Sequence, residues 1–151
     1  MIFCLLAAAL FAQEYDPSKV DKKAKALYDQ GLERAQDGQY PLAVGLLQQA
    51  IEKDKKFVDA YLSLAGVYGQ MKHYQKCVEN YEKAFALDEG YTIEYKLPYS
   101  INLAGLGEFQ KALDAINELL DKKPPQNSTS LKAAEFRKRT YEFALDFARK
   151  K

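Results

Sequence analysis

Gly38-Gln39-Tyr40-Pro41-Leu42-Ala43, Lys72-His73-Tyr74-Gln75-Lys76-Cys77 and Gly107-Glu108-Phe109-Gln110-Lys111-Ala112 are three copies of one frame, their aromatic residues 34 and 35 positions apart. The small residue behind the aromatic recurs as Ala43, Cys77 and Ala112. A further column follows seven residues on, as Ala50, Ala84 and Leu119. Three columns holding one period of this length mark stacked helical hairpins, none of which can bury its apolar face alone. Such a stack predicts a binding scaffold.

The helix ahead of each frame carries its own columns: Leu27 and Gly31, then Tyr61, Leu64, Ala65 and Tyr68, then Tyr99, Ser100 and Leu103. Small residues there let neighbouring helices approach, and the aromatics fill the space between them. Periodicity and stop signals predict seven helices: about Asp21–Gln36, Tyr40–Lys53, Phe57–Met71, Tyr74–Leu87, Ile93–Leu106, Phe109–Lys122 and Leu131–Arg149. Glu89-Gly90-Tyr91 reads as a break. Pro98 must either kink the fifth helix or mark its true first turn, since proline is tolerated only at that end. Pro124 to Ser130 is a proline-rich polar loop ending in a helix cap, and its Asn127-Ser128-Thr129 matches the glycosylation acceptor pattern that exposed loops commonly carry.

Hydrophobic residues make up 48% of the 151, enough for one core, and 28% are charged with a net charge of +1. That balance leaves no electrostatic footprint for nucleic acid or an anionic membrane. The eleven tyrosines suggest base stacking at first sight. Tyr40, Tyr61, Tyr68, Tyr74 and Tyr81, however, sit in packing columns, and no basic stripe accompanies them.

Met1 to Ala12 carries no charge and is too short for a membrane-spanning helix. It reads as the apolar part of a secretory signal peptide cleaved after Ala12, with 13–20 as a linker. No Lys or Arg precedes the run, and Leu10 is large for its place before the cleavage point. The other reading is an apolar first helix packed on the stack. A lipid anchor at Cys4 fails because only three residues precede it. Cleavage would leave Cys77 as the one cysteine, a small buried hydrophobe with no disulfide partner. His73 falls in a turn and has no partner for metal or acid–base work.

The final helix carries two apolar rows. Leu131, Ala134, Lys138, Tyr141, Leu145 and Ala148 form one; Phe136, Thr140, Phe143 and Phe147 form the other. A terminal helix should turn a polar face to water. Two rows predict contact with something more than the sixth helix, through a homodimer or through chain continuing past Lys151, with Phe136, Phe143 and Phe147 as docking residues.

The columns resemble the tetratricopeptide repeat (TPR) family, with Val58 to Tyr91 the best-matching copy. Ala24 to Phe57 departs at Gln30 and Arg34, and the third copy, about 92–124, departs at Thr92 and Pro98. The resemblance implies an all-α, right-handed solenoid of three hairpins over 21–123, a loop at 124–130 and a capping helix at 131–151. Pro98 to Phe109 and Arg137 to Ala144 also resemble the N-terminal repeat region of Bacteroidetes envelope proteins, some tied to type IX secretion. In that family a WD40-like propeller and an OmpA-like peptidoglycan-binding domain follow. This sequence contains neither, so peptidoglycan binding transfers to none of its residues.

In the repeat family the first helices line a concave groove. The resemblance assigns Tyr28, Leu32, Leu62, Gly66, Gly69, Leu97, Ile101 and Ala104 to it, with some of them alternatively packing on neighbouring helices or the N-terminal segment. The expected partner is an extended peptide or amphipathic helix of another protein, an adjoining domain, or a second copy. Family members that clamp acidic C-termini use Lys, Asn and Arg where this chain has Tyr28, Leu32, Ser63, Glu94 and Pro98, so that mode is excluded for lack of a cation. No phosphate loop, metal-ligand cluster or nucleophile–base arrangement is present in the sequence. Neither enzymatic activity nor a cofactor is expected.

Overall fold

A computed structural model of the chain describes residues 14–122 and 129–150. The signal-peptide segment 1–12 and Asn127 of the acceptor triplet lie outside the described residues. Lys22–Gln36 (α1), Tyr40–Lys53 (α2), Val58–Gln70 (α3), Tyr74–Leu87 (α4), Glu89–Thr92 (α5), Lys96–Gly105 (α6), Phe109–Asp121 (α7) and Thr129–Arg149 (α8) follow a 3-10 turn at Pro17–Lys19. The pairs α1/α2, α3/α4 and α6/α7 form hairpins, each joined to the next through its second helix, and α8 packs on α7.

The sequence frame has a backbone cause. Gly38, Lys72 and Gly107 all adopt left-handed conformations, with φ of 74°, 57° and 81°. The next residue then donates its N–H five positions back: Gln39 to Arg34 at 2.8 Å, His73 to Tyr68 at 2.9 Å, Glu108 to Leu103 at 2.9 Å. This closure satisfies the orphan carbonyls of the first helix and reverses the chain. Glycine adopts it without a Cβ penalty, whereas Lys72 carries roughly 1 kcal/mol or more of strain.

Packing follows the columns. Ala43, Cys77, Ala112, Ala50 and Ala84 are completely buried, and Leu119 nearly so. Gly31 is small for a similar reason: a Cβ there would lie 2.9 Å from Leu47 Cγ. A Cβ on Gly105 would lie 3.1 Å from the Tyr74 ring, so that aromatic slot covers the next hairpin's first helix. In the third copy Phe109 meets Tyr141 of α8, with ring centroids 6.3 Å apart. Two core clusters result. One is centred on α1 to α4; the other gathers Val78, Leu103, Ile116, Leu119, Ala134 and Tyr141. Tyr99 touches both.

The structure departs from the sequence reading at three places. Glu89–Thr92 is a helical turn rather than a break, because the Asp88 carboxylate caps it by accepting the Tyr91 N–H at 2.9 Å. The fifth expected helix opens as a 3-10 turn, Ile93–Tyr95, and becomes α-helical only at Lys96. Pro98 therefore lies in the first turn of α6, where it breaks no helical bond. At the C-terminal end α8 starts at Thr129, which places Ser130, the expected cap, inside it.

Residues 14–20, expected as a linker, lie against the stack. Tyr15 and Val20 pack on the first core. Asp16 accepts from the Ser18 N–H at 3.0 Å and turns the strap toward α1. Asp21 then caps α1, accepting from Lys23 and Ala24 N–H at 2.9 Å each.

Candidate functional site

The face formed by α1, α3 and α6 is where the sequence placed a groove. Tyr28 is half-buried, its ring 4.8 Å from that of Phe57 and its hydroxyl 3.3 Å from the donating Ser63 hydroxyl. Leu32 is half-buried beside it on α1. Leu62 is only 4% exposed and belongs to the first core, so it floors the face and offers almost no surface to a partner. Gly66 faces open space, since a Cβ there would meet nothing within 4 Å. Gly69 does not: a Cβ would stand 3.3 Å from Asn102 Oδ1, so its missing side chain admits α6 rather than a ligand. Leu97 and Ala104 pack partly on the second core, while Ile101 is 40% exposed.

Exposed aromatic surface on this side comes from Tyr91 and Tyr95, at 42% and 38%, which the sequence reading did not place there. They belong to α5 and the 3-10 turn after it, outside the regular hairpins. Tyr91 donates its hydroxyl to Asp59 Oδ1 at 2.7 Å, and Tyr15 from the strap donates to Asp59 Oδ2 at 2.8 Å. The Tyr15 and Tyr91 rings meet edge to face at 4.9 Å. The Tyr15 backbone N–H donates to Asp88 Oδ2 at 2.8 Å, tying the strap to the end of α4.

The electrostatics of this knot follow from its geometry. Burial, and after it the hydrogen bond to Asp59, holds the Tyr15 and Tyr91 phenols well above the usual tyrosine range; burial raises Tyr95 as well. They stay hydrogen-bond donors at neutral pH. The Tyr15 and Tyr91 backbone N–H groups hold the Asp88 carboxyl below its usual value. Among the described residues, no Lys or Arg nitrogen forms an ion pair with Asp59.

The second candidate surface lies on α8. Its first row packs inward: Ala134 and Tyr141 are buried, and the Tyr141 hydroxyl lies 3.4 Å from that of the buried Ser100. Its second row stands in solvent, with Phe136, Phe143 and Phe147 at 58%, 73% and 54% exposure and the last two rings 6.5 Å apart, nearly parallel. Cys77 is fully enclosed, and burial pushes its thiol up to about 12. His73 is exposed in its turn. Among the described residues, no helix is long and apolar enough to cross a membrane.

Successive two-helix units followed by a further helix make this chain a helical-repeat protein by architecture. Solved structures make the class specific. The first TPR of Spaghetti (RPAP3), bound to HSP90 peptide SRMEEVD, superposes with a TM-score of 0.73 at 19% identity, over 89% of this chain and 98% of that one. The translocator chaperone SycD of Yersinia enterocolitica type III secretion, solved as an alternative dimer, gives 0.71 at 16% identity over 82% and 95%. The MamA protein gives 0.64 at 28% identity; 67% of this chain matches 55% of that one. No family model and no curated protein matches the sequence. The fold is the all-α tetratricopeptide-repeat fold.

Proposed function

We propose that the chain is a non-catalytic scaffold that binds a partner protein or an adjoining domain through the α1/α3/α6 face and α8. The observation that carries this is the exposure of apolar side chains on two faces that the cores leave uncovered. Ile101, Tyr91 and Tyr95 stand on one, and Phe136, Phe143 and Phe147 on the other. Clustered exposed apolar residues on a folded chain mark interaction sites. RPAP3, of the same fold, is solved with a peptide bound. The apolar leader Met1 to Ala12 and the resemblance to Bacteroidetes envelope proteins support a place at the periplasmic face of the outer membrane.

A photo-crosslinking residue at position 101 or 143, introduced in the native cell, tests the reading. Crosslinks to one protein that vanish with Leu32→Asp at the first face, or Phe147→Asp at the second, support it. Crosslinking unaltered by both variants, while circular dichroism shows intact helices, would remove these faces from consideration. Recovery of the protein from the periplasmic fraction, with Gln13 as its first residue, tests the placement.

A second reading is favoured by the exposed, stacked Phe143–Phe147 pair: α8 pairs with α8 of a second copy. Sedimentation of a monomer at high protein concentration would eliminate it.

A further inference from the structure

Asp59 is a half-buried carboxylate that accepts two phenol hydroxyls and, among the described residues, forms no ion pair. Each oxygen accepts one hydroxyl and keeps lone-pair capacity for a second donor. Phenol hydrogen bonds spread a carboxylate's negative charge without cancelling it. Both phenols meet it through their hydroxyl ends, and their rings pack edge to face on each other beside it, leaving aromatic surface next to the charge. A carboxylate beside aromatic surface is the arrangement that draws ammonium and guanidinium groups out of water. Of the lysines on this side, Lys25 pairs with Asp29 and rests 5.3 Å from the Tyr28 ring centroid, and Lys19 pairs with Asp16. Asp88 lies one hydrogen bond beyond, through the Tyr15 N–H, and adds a second negative charge to the same end of the face.

We propose that Asp59, with Tyr15, Tyr91 and Tyr95, is the anchor for a cationic side chain on the segment that occupies the groove, a lysine or arginine flanked by apolar residues. The proposal rests on the α1/α3/α6 face being the binding face and gives its occupant a charge. Lysine or arginine enters beside the tyrosines, its charge meeting Asp59 and its alkyl stem lying toward Ile101. This groove thus selects basic segments, the opposite sign to an acidic tail.

The test titrates the full chain with methylguanidinium chloride and tetramethylammonium chloride, following tyrosine ring resonances by NMR. Potassium chloride at equal ionic strength and neutral tert-butanol are the controls. The expected result is a saturable shift of the Tyr91 and Tyr15 rings with both cations and with neither control, weakened about tenfold or more in Asp59→Asn. Tyr91→Phe keeps the ring and should keep most of the binding, and Tyr91→Leu should lose it. Both are checked for helical content. Equal shifts from potassium chloride, undiminished binding in Asp59→Asn, or no shift at all would overturn the anchor. Crosslinks at position 101 without cation binding sink the anchor and leave the groove; loss of those crosslinks from the unaltered chain sinks both.

Discussion

Gly31 and Gly66 occupy the interiors of the first helices of successive hairpins, yet replacing each with alanine should change stability in opposite directions. Glycine inside a helix costs about 1 kcal/mol relative to alanine. At Gly66 that gain is free, because an added Cβ meets nothing within 4 Å. Gly66→Ala should therefore stabilise the chain by about 1 kcal/mol, a rise in Tm of roughly 2–4 °C for a domain of this size. At Gly31 the same methyl would stand 2.9 Å from Leu47 Cγ and 3.0 Å from its Cδ2. Carbon atoms prefer about 3.5–4.0 Å, and Leu47 is completely buried against α1 with nowhere to swing. Overpacking costs about 1–3 kcal/mol, so after the helix gain the net loss should be about 1 kcal/mol. Urea unfolding followed by far-UV circular dichroism, with m unchanged, reads both values. A Leu47→Ala background supplies the decisive control. With the clashing branch gone, Gly31→Ala should turn neutral or favourable. If it costs the same with and without Leu47, the contact is not the cause and the reasoning is refuted. Gly66→Ala should also weaken partner capture while raising stability, since its methyl projects into the groove.

Tyr141→Ala should cost about 3–5 kcal/mol and release α8 from the stack, while Tyr141→Phe costs under about 1 kcal/mol because its bond to Ser100 is long; amide exchange on 131–149 distinguishes the two. Raised phenols and a raised thiol make alkaline pH destabilising. Cys77, Tyr15, Tyr81, Tyr91 and Tyr99 all have folded values above their unfolded 9.0 or 10.0, so the unfolded chain loses protons first. Their contribution is fully present below pH about 9 and declines as pH rises above it. Unfolding free energy that is flat from pH 7 to 11 would contradict this, as would a Cys77 thiol that reacts with a disulfide reagent without prior unfolding.

The repeat was legible because it is a backbone periodicity with side-chain consequences. Lys72 shows which comes first: its slot holds glycine in the other two copies, and the chain keeps the left-handed turn despite the lysine. The two rows of α8 were likewise readable from spacing, although only the structure tells which row Tyr141 buries and which the phenylalanines expose. What spacing could not reveal lies off the period. Tyr91 lies in the short helix that closes the second copy and Tyr95 in the 3-10 turn that opens the third, where the register slips, and Tyr15 stands ahead of the first. No column links them to Asp59, and their meeting depends on a strap whose contacts span 44 and 73 positions. Leu62 shows the converse, taking the alternative that the sequence left open, packing inside the stack. Its column faces the groove in the family, but here it lies in the core with Tyr28 half-buried nearby.

The strap has a competitive consequence. Tyr15 is in effect a phenolic ligand tethered to its own receptor, joined to the capped start of α1 by residues 16–21, several of them already turned by Asp16. A short tether presents its end group at an effective concentration of about millimolar or higher. A free molecule seeking the place of the Tyr15 hydroxyl on Asp59 would compete with that standing supply at every moment, and most weak ligands would lose. A visitor that leaves Tyr15 seated and uses the remaining lone pairs faces no such rival. The tether thereby filters what can reach Asp59: phenol mimics are held off, and charge of the right sign is let in.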